Sequence, residues 1–149
     1  MSQVMIVEDS RALRKVMEIM LRREEIDAES YTDGYTALRA LQAPGHPIPA
    51  VVLLDLGLPA VNHLPLIDGY AFAKLLRSQS RFDSTVIIVL SGHGDVITKL
   101  RARLSGATAY LSKPFTMQQL ITLIRRYLVA PAEEVEAKVA VTLPLPRSR

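Results

Sequence analysis

The feature that most constrains the fold of this 149-residue chain is a short apolar run, Val51–Leu54, that ends in a single carboxylate, Asp55. Consecutive apolar residues of this kind are typical of a strand that is buried on both faces, as in a parallel sheet. Gly57 and Pro59 follow and predict a turn at the end of that strand. In open α/β sheets, ligands bind beyond the carboxyl ends of the strands, which is where Asp55 would lie. A lone Asp more often caps a helix, so the functional interpretation depends on the rest of the chain.

Two further apolar runs end in polar residues in the same way. Val4–Val7 leads into Glu8 and Asp9, and Val86–Leu90 leads into Ser91. A weaker alternation predicts an outer strand over 26–31, and a last short strand is predicted over 107–111. Helical spacing separates these strands, with N-caps predicted at Ser10, Asp33, Asp68, Asp95 and Thr116. The strand–helix alternation, repeated five times, predicts an α/β fold: a five-stranded parallel sheet with five helices on both faces.

Three of the predicted helices have stated bounds or apolar stripes. The second helix is predicted over 35–41. The fourth helix carries one stripe, formed by Val96, Ile97, Leu100 and Leu104. The fifth helix is predicted to bury the face formed by Leu120, Ile121, Ile124 and Leu128.

Polar residues follow four of the five predicted strands: Glu8 and Asp9, Asp55, Ser91 and Lys113. Because the carboxyl ends of parallel strands share one edge of a sheet, we expect these side chains to converge. Three carboxylates in one cleft repel one another, so they take up protons or bind a cation. With oxygen ligands and no cysteine, the site favours Mg²⁺. Lys113 is suited to bind a phosphoryl group, Ser91 to donate a hydrogen bond to it, and one carboxylate to attack phosphorus.

Residues 1–128 resemble the receiver domain of two-component response regulators. The matching pieces, in chain order, are the Glu8–Asp9 pair, Asp55 with Leu58–Pro59, Ser91–Gly92, and Tyr110 three residues before Lys113–Pro114. The resemblance implies a flavodoxin-like fold with strand order 2-1-3-4-5, as in a chemotaxis member of the family. It also implies a phosphorylation-dependent signalling switch, rather than an enzyme, that is phosphorylated by a sensor histidine kinase.

The resemblance also implies a role for each matching residue. Asp55 would be the phosphoacceptor. Mg²⁺ would be held by Glu8, Asp9 and Asp55 together with the carbonyl of Gly57. Lys113 would contact the phosphoryl group.

Further residues would carry the switch itself. Ser91 would move to bond a phosphoryl oxygen, Tyr110 would rotate inward behind it, and the Lys113–Pro114 peptide bond would be cis. The helix with Leu100, the strand with Tyr110 and the helix with Ile124 would form the output face that engages a downstream protein partner.

Two features depart from the family's pattern. Ala60–Ile67 lengthens the loop before Gly69 and is interpreted as an insertion that packs on its own domain or contacts a partner. Gly57 and His93 occupy the positions that flank the hydrolytic water in the family. Gly57 has no side chain with which to position water, and we hypothesise that His93 tunes the lifetime of the acylphosphate.

Composition narrows the function classes further. The absence of cysteine excludes a disulfide framework and a thiolate metal site. The net charge is +3 and the basic residues are scattered, which favours a solvated surface over direct nucleic-acid binding. No apolar run approaches the roughly 20 residues needed to span a bilayer. The first residues lack a signal-peptide pattern, so we expect a cytoplasmic location without membrane association.

The predicted domain organisation is a receiver domain over 1–128 followed by a flexible tail or linker over 129–149. The apolar part of that tail, 135–145, could dock onto a neighbour, and a homodimer is compatible with the sequence. Two alternatives stay open: a receiver-like scaffold that is never phosphorylated, and the N-terminal fragment of a larger regulator. A phosphatase that uses Asp55 in turnover is disfavoured, because such enzymes usually carry a second Asp where Gly57 stands. A nucleotide-binding module is disfavoured because the chain lacks a G-x-G-x-x-G loop.

Overall fold

The computed structural model describes residues 3–58 and 67–129. Within these ranges, parallel strands and α-helices alternate along the chain in five pairs. In chain order they are β1 (Val4–Val7), α1 (Arg11–Arg23), β2 (Ala28–Tyr31), α2 (Gly34–Gln42), β3 (Val51–Asp55), α3 (Gly69–Arg77), β4 (Val86–Ser91), α4 (Val96–Leu104), β5 (Ala109–Ser112) and α5 (Met117–Val129). A 3₁₀ turn at Ser80–Phe82 follows α3. The strands lie side by side in the order β2-β1-β3-β4-β5, which confirms the predicted sheet and its strand order.

The sheet is covered on both faces. Every residue of β1 and β3 is buried. Alternate strand residues such as Met5 and Val52 pack with α2, α3 and α4, whereas Ile6 and Leu53 pack with α1 and α5. Because β1 and β3 are held from both sides, the polar residues at their carboxyl ends have fixed positions at one edge of the sheet.

All five predicted helix caps are confirmed. The side chains of Ser10, Asp33, Asp68 and Asp95 each accept a hydrogen bond from the backbone N–H three residues later. Thr116 and Gln119 form a reciprocal pair, in which each side chain accepts from the other residue's backbone N–H. Four of these caps lie within four residues of the preceding strand, so four loops at the polar edge of the sheet are short, whereas Asp68 lies thirteen residues after the end of β3.

Two strands begin two residues later than predicted, for one physical reason. The N–H of Ile26 donates to the carbonyl of Leu21, and the N–H of Ala107 donates to the carbonyl of Ala102. Each bond closes a helix end through a residue with positive φ, 58° at Glu25 and 113° at Gly106. Ile26 and Ala107 are therefore apolar because they seal helix ends, although their sequence pattern resembles the start of a strand.

The apolar stripe of α4 faces solvent. Val96 is 74% exposed, Ile97 78%, Leu100 40% and Leu104 69%, and the buried residue of this helix is Ala102. The predicted buried face of α5 is largely confirmed, since Leu120, Ile121 and Ile124 are buried and Leu128 is partly buried.

Parts of the predicted organisation lie outside the described residues. These are 60–66 of the predicted insertion and 130–149 of the predicted tail. The domain boundary at 128 stays a prediction, and α5 continues through Val129. No helix in the described ranges is both long enough and apolar enough to cross a membrane.

Candidate functional site

Three carboxylates converge where β1 and β3 end. The two strands pair in parallel, with Val7 opposite Leu54, so the residues that follow them lie side by side. One oxygen from each of Glu8, Asp9 and Asp55 lies within 4.8 Å of the others. Glu8 is 1% exposed and Asp55 5% exposed, whereas Asp9 is open to solvent. The cluster therefore has two buried acids and one accessible acid, which leaves an open side for a ligand.

Lys113 brings a positive charge to these carboxylates from the end of β5. Its Nζ lies 3.4 Å from Oε1 of Glu8 and 3.5 Å from Oδ1 of Asp55, and its side chain is partly exposed. The backbone N–H of Lys113 donates to the carbonyl of Ser91 at 2.7 Å, which ties the loop to the end of β4. The Lys113–Pro114 peptide bond is cis, as predicted.

The electrostatics of the cluster are dominated by burial. Burial raises the pKa of Glu8 to about 7, and the neighbouring charge of Asp55 and a hydrogen bond with Asp9 add to the rise. The backbone N–H of Ser10 and the ammonium of Lys113 oppose it. For Asp9, burial acts upward, but hydrogen bonds with the carboxyls of Glu8 and Asp55 outweigh it and lower its pKa. The pKa of the buried Glu8 is thus raised and that of the accessible Asp9 lowered, a divergence expected when carboxylates meet in different surroundings.

The loop after β3 is held close to Asp55. The backbone N–H of Gly57 donates to Oδ1 of Asp55 at 2.9 Å. Gly69 begins α3 so close to this strand that an added Cβ would lie 2.7 Å from the carbonyl oxygen of Asp55 and 2.8 Å from Cα of Leu56. Only glycine fits such an approach, and it keeps the start of α3 against the candidate phosphoacceptor.

Ser91 and Tyr110 are linked through the loop after β4. The hydroxyl of Ser91 accepts from the N–H of His93 at 3.0 Å, and the hydroxyl of Tyr110 donates to the carbonyl of His93. Tyr110 is buried, and this burial raises its pKa although a hydrogen bond with Ser91 acts in the opposite direction. Ser91 lies one residue past Leu90, the register partner of Asp55, so β4 ends next to the strand that carries Asp55.

Two supporting contacts of Glu8 escaped the sequence reasoning. The guanidinium of Arg14 donates to the backbone carbonyl of Glu8 at 3.0 Å, and the N–H of Ser10 donates to Oε2 of Glu8 at 3.0 Å. Both hold the most buried acid of the cluster. Arg14 lies one helical turn after the Ser10 cap, and this spacing was the available signal.

The output face stays a prediction, and its three named residues differ in accessibility. Leu100 is accessible on α4, but Ile124 is fully buried in the sheet core and Tyr110 is almost fully buried. Ile124 belongs to the face of α5 that was predicted to be buried, so it identifies the helix and is not itself a surface residue.

The donor set fits Mg²⁺. All three candidate side-chain ligands offer carboxylate oxygens, the ligands that this cation prefers, and the exposed side leaves room for water and a phosphoryl oxygen. Chemically, the arrangement can hold a hydrated divalent cation and a phosphoryl group against Asp55, with Lys113 as a further positive charge.

A family model and two curated proteins show what this chain is similar to. The family model of the response regulator receiver domain matches residues 4–125. Protein PilG of Pseudomonas aeruginosa is 30% identical over 126 residues, which cover 85% of this chain and 87% of PilG. The sensory transduction protein RegX3 of Mycobacterium tuberculosis is 34% identical over 128 residues, which cover 86% of this chain and 51% of RegX3. The chain thus spans about half the length of that second relative.

A solved structure adds a comparison of the cleft. The receiver domain of the sensor histidine kinase PA1611 from Pseudomonas aeruginosa is 26% identical, with a TM-score of 0.71 over 87% of this chain and 100% of that one. That crystal structure has a magnesium ion coordinated in its active site cleft.

Proposed function

This chain belongs to the family of response regulator receiver domains, and we propose that it is a signalling switch in which Asp55 accepts a phosphoryl group in a Mg²⁺-dependent reaction. The observation that carries the proposal is the position of Lys113, whose ammonium lies 3.5 Å from Asp55 and 3.4 Å from Glu8. A nucleophilic carboxylate, an oxygen donor set for a cation and a fixed positive charge are then all within reach of one phosphoryl group.

The phosphoryl donor that we propose is a phosphorylated histidine of a sensor kinase. An Asp55 oxygen attacks phosphorus, the bond from phosphorus to the imidazole nitrogen breaks, and the imidazole leaves while the carboxylate becomes an acylphosphate. Lys113 stabilises the negative charge on the transferring group. Bound Mg²⁺, held by Glu8, Asp9, Asp55 and the Gly57 carbonyl, would neutralise further charge on the phosphoryl oxygens.

The acylphosphate then biases a two-state element. Ser91 and Tyr110 are already linked through the backbone of His93, so a shift of the Ser91 hydroxyl toward a phosphoryl oxygen changes the surroundings of Tyr110. α4 and β5 carry that change to the surface, where Leu100 is accessible to a downstream protein partner.

Since the phosphoryl group of a kinase histidine comes from ATP, we place this switch in the cytoplasm.

We propose a switch and not a phosphatase that releases phosphate over many cycles. Gly57 follows the nucleophile without a carboxylate that could act as a general acid, so the acylphosphate would accumulate before it hydrolyses. A scaffold that is never phosphorylated would have no need for Lys113 beside a buried pair of acids, because burying charged groups destabilises a fold.

The test is intact-protein mass spectrometry after incubation with acetyl phosphate and Mg²⁺. We expect the chain to gain the mass of one phosphoryl group, and we expect the gain to disappear in Asp55→Asn and in the presence of a chelator. Asp83→Asn is the matched control, because Asp83 is exposed and lies in a loop away from the cluster. An unmodified wild-type chain would favour the scaffold, and steady release of phosphate over many turnovers would favour the enzyme.

A further inference from the structure

The exposed stripe of α4 is the largest concentration of accessible apolar side chains in the described part of the chain. Eight large apolar residues are exposed in the described part of the chain, and four of them lie on this nine-residue helix. We call Val96, Ile97, Leu100 and Leu104 the α4 face. A contiguous exposed apolar patch of this kind usually marks a contact with another polypeptide segment.

We propose that residues 133–145 of this same chain bind the α4 face. Val139, Val141, Leu143 and Leu145 alternate with smaller or more polar residues. In an extended conformation such residues share one side of the segment. Pro144 and Pro146 disfavour a helix over the same stretch, because proline has no backbone N–H to donate.

The tether from α5 is long enough for this contact. Arg125, near the end of α5, forms an ion pair with Glu24 at the end of α1, so α5 finishes at the edge of the sheet opposite the carboxylate cluster. Leu104 finishes α4 at that same edge, because β5 starts there. Val139 lies ten residue steps after Val129, and ten steps can span up to about 33 Å, more than the roughly 20 Å across a helix–sheet–helix sandwich.

The charges on α4 favour the segment 133–145 over a second copy of the chain as the occupant of the α4 face. α4 carries the basic residues Lys99, Arg101 and Arg103 and no acidic residue. A symmetric dimer through this helix would bring those charges against themselves. The proposed segment instead begins with Glu133, Glu134 and Glu136, which would approach basic residues on the way to the α4 face.

The contact goes beyond the proposed function and does not depend on chemistry at Asp55. It would cover the part of α4 that a downstream partner reaches, so the segment and the partner would compete for one surface. Failure of this contact would leave phosphorylation of Asp55 intact, and the two proposals can fail separately.

The first test uses disulfide trapping in the full 149-residue chain, which has no cysteine of its own. The variant pair Leu100→Cys/Val141→Cys is compared with Leu75→Cys/Val141→Cys. Leu100 and Leu75 are the same residue type on exposed helix faces, 40% and 38% accessible. We expect an intramolecular disulfide in monomers of the first pair to form about tenfold faster than in the second, because docking raises the effective concentration.

Equal rates for the two pairs, or no disulfide in either, would overturn the proposal, because the tether alone would then account for any encounter. Disulfide-linked dimers from Leu100→Cys/Val141→Cys, formed faster at higher protein concentration, would also overturn it in favour of a second copy.

The second test removes the contact without touching α4. Val139→Asp/Val141→Asp places charges on the proposed binding side, and Ala140→Asp/Thr142→Asp places the same charges on the other side. Hydrogen–deuterium exchange of the α4 amides should become faster in the first variant and stay at the wild-type rate in the second. Exchange that is unchanged in both, or equally faster in both, would contradict the proposal.

Discussion

Mg²⁺ affinity is expected to fall about tenfold when the pH is lowered from 8 to 6, because a proton on Glu8 competes with the cation. The pKa of Glu8 in the metal-free protein is about 7, set chiefly by burial. About nine-tenths of this group is ionised at pH 8 and about one-tenth at pH 6, so the fraction of sites ready for Mg²⁺ changes by roughly a factor of ten.

Glu8 also makes the stability of the metal-free protein depend on pH, and here a lower pH is favourable. Its pKa rises from 4.5 to about 7 on folding, so its contribution to stability is fully present below pH 4.5 and is lost as the pH rises through 7. At about 1.4 kcal/mol for each pKa unit, the contribution is at most about 3 kcal/mol. The pKa of Asp9 is lowered, so its contribution to stability is present at pH values above its ordinary pKa and is lost only in stronger acid. The metal-free protein should therefore melt at a lower temperature at pH 8 than at pH 5.5.

Isothermal titration calorimetry with Mg²⁺ at pH 6, 7 and 8 measures the first effect. Glu8→Gln should weaken binding and flatten the pH dependence, and Glu25→Gln, an exposed residue outside the cluster, should change neither. Equal dissociation constants at pH 6 and pH 8 in the wild-type protein would refute the reasoning. A pH dependence that survives in Glu8→Gln would refute it as well.

Three further substitutions test the site and its frame. Lys113→Ala should slow phosphorylation by acetyl phosphate by about 100-fold, as expected for the loss of one charge that stabilises a transferring group, measured by mass spectrometry over time. Gly69→Ala should destabilise the fold by about 1–3 kcal/mol in urea denaturation, because its Cβ would meet the backbone at the end of β3. Arg77→Ala should lower the unfolding free energy by about 2 kcal/mol in the same assay, because it removes hydrogen bonds to two carbonyls and one hydroxyl.

Matched controls accompany these variants. Lys15→Ala, on the exposed side of α1, should leave the phosphorylation rate unchanged. Gly92→Ala adds a methyl group where no atom lies within 4 Å, and it should be far milder than Gly69→Ala. Arg11→Ala removes an exposed side chain of the same type as Arg77. Wild-type behaviour of any of the three test variants, or an equal effect in its control, would contradict the corresponding prediction.

The sheet and the carboxylate cluster could be predicted from sequence because their signals are local. An apolar run that ends in an acid, as at Asp55, specifies both a buried strand and what lies at its end. The caps at Ser10 and Asp95 are equally local, since a side chain and a backbone N–H three residues later suffice.

Burial of an apolar helix stripe could not be predicted in the same way, because it depends on neighbours far along the chain. The stripes of α4 and α5 have similar residue types, yet Leu104 is exposed and Ile124 is fully buried. α5 lies across the sheet core, whereas α4 touches it through Ala102. The support that Arg14 gives to Glu8 had a weak local signal in its spacing from the Ser10 cap, but its partner, a backbone carbonyl at a strand end, is visible only in the fold.

The described residues on both sides of the interval 59–66 are anchored in the domain. Leu58 is buried, Ile67 packs against the core and against Gly34, and Gly69 rests on the backbone of Asp55. We therefore expect changes in the length or sequence of that interval to leave the carboxylate cluster in place, since insertions are best tolerated between anchored ends. Differences in length and sequence among relatives should therefore concentrate between these two anchors.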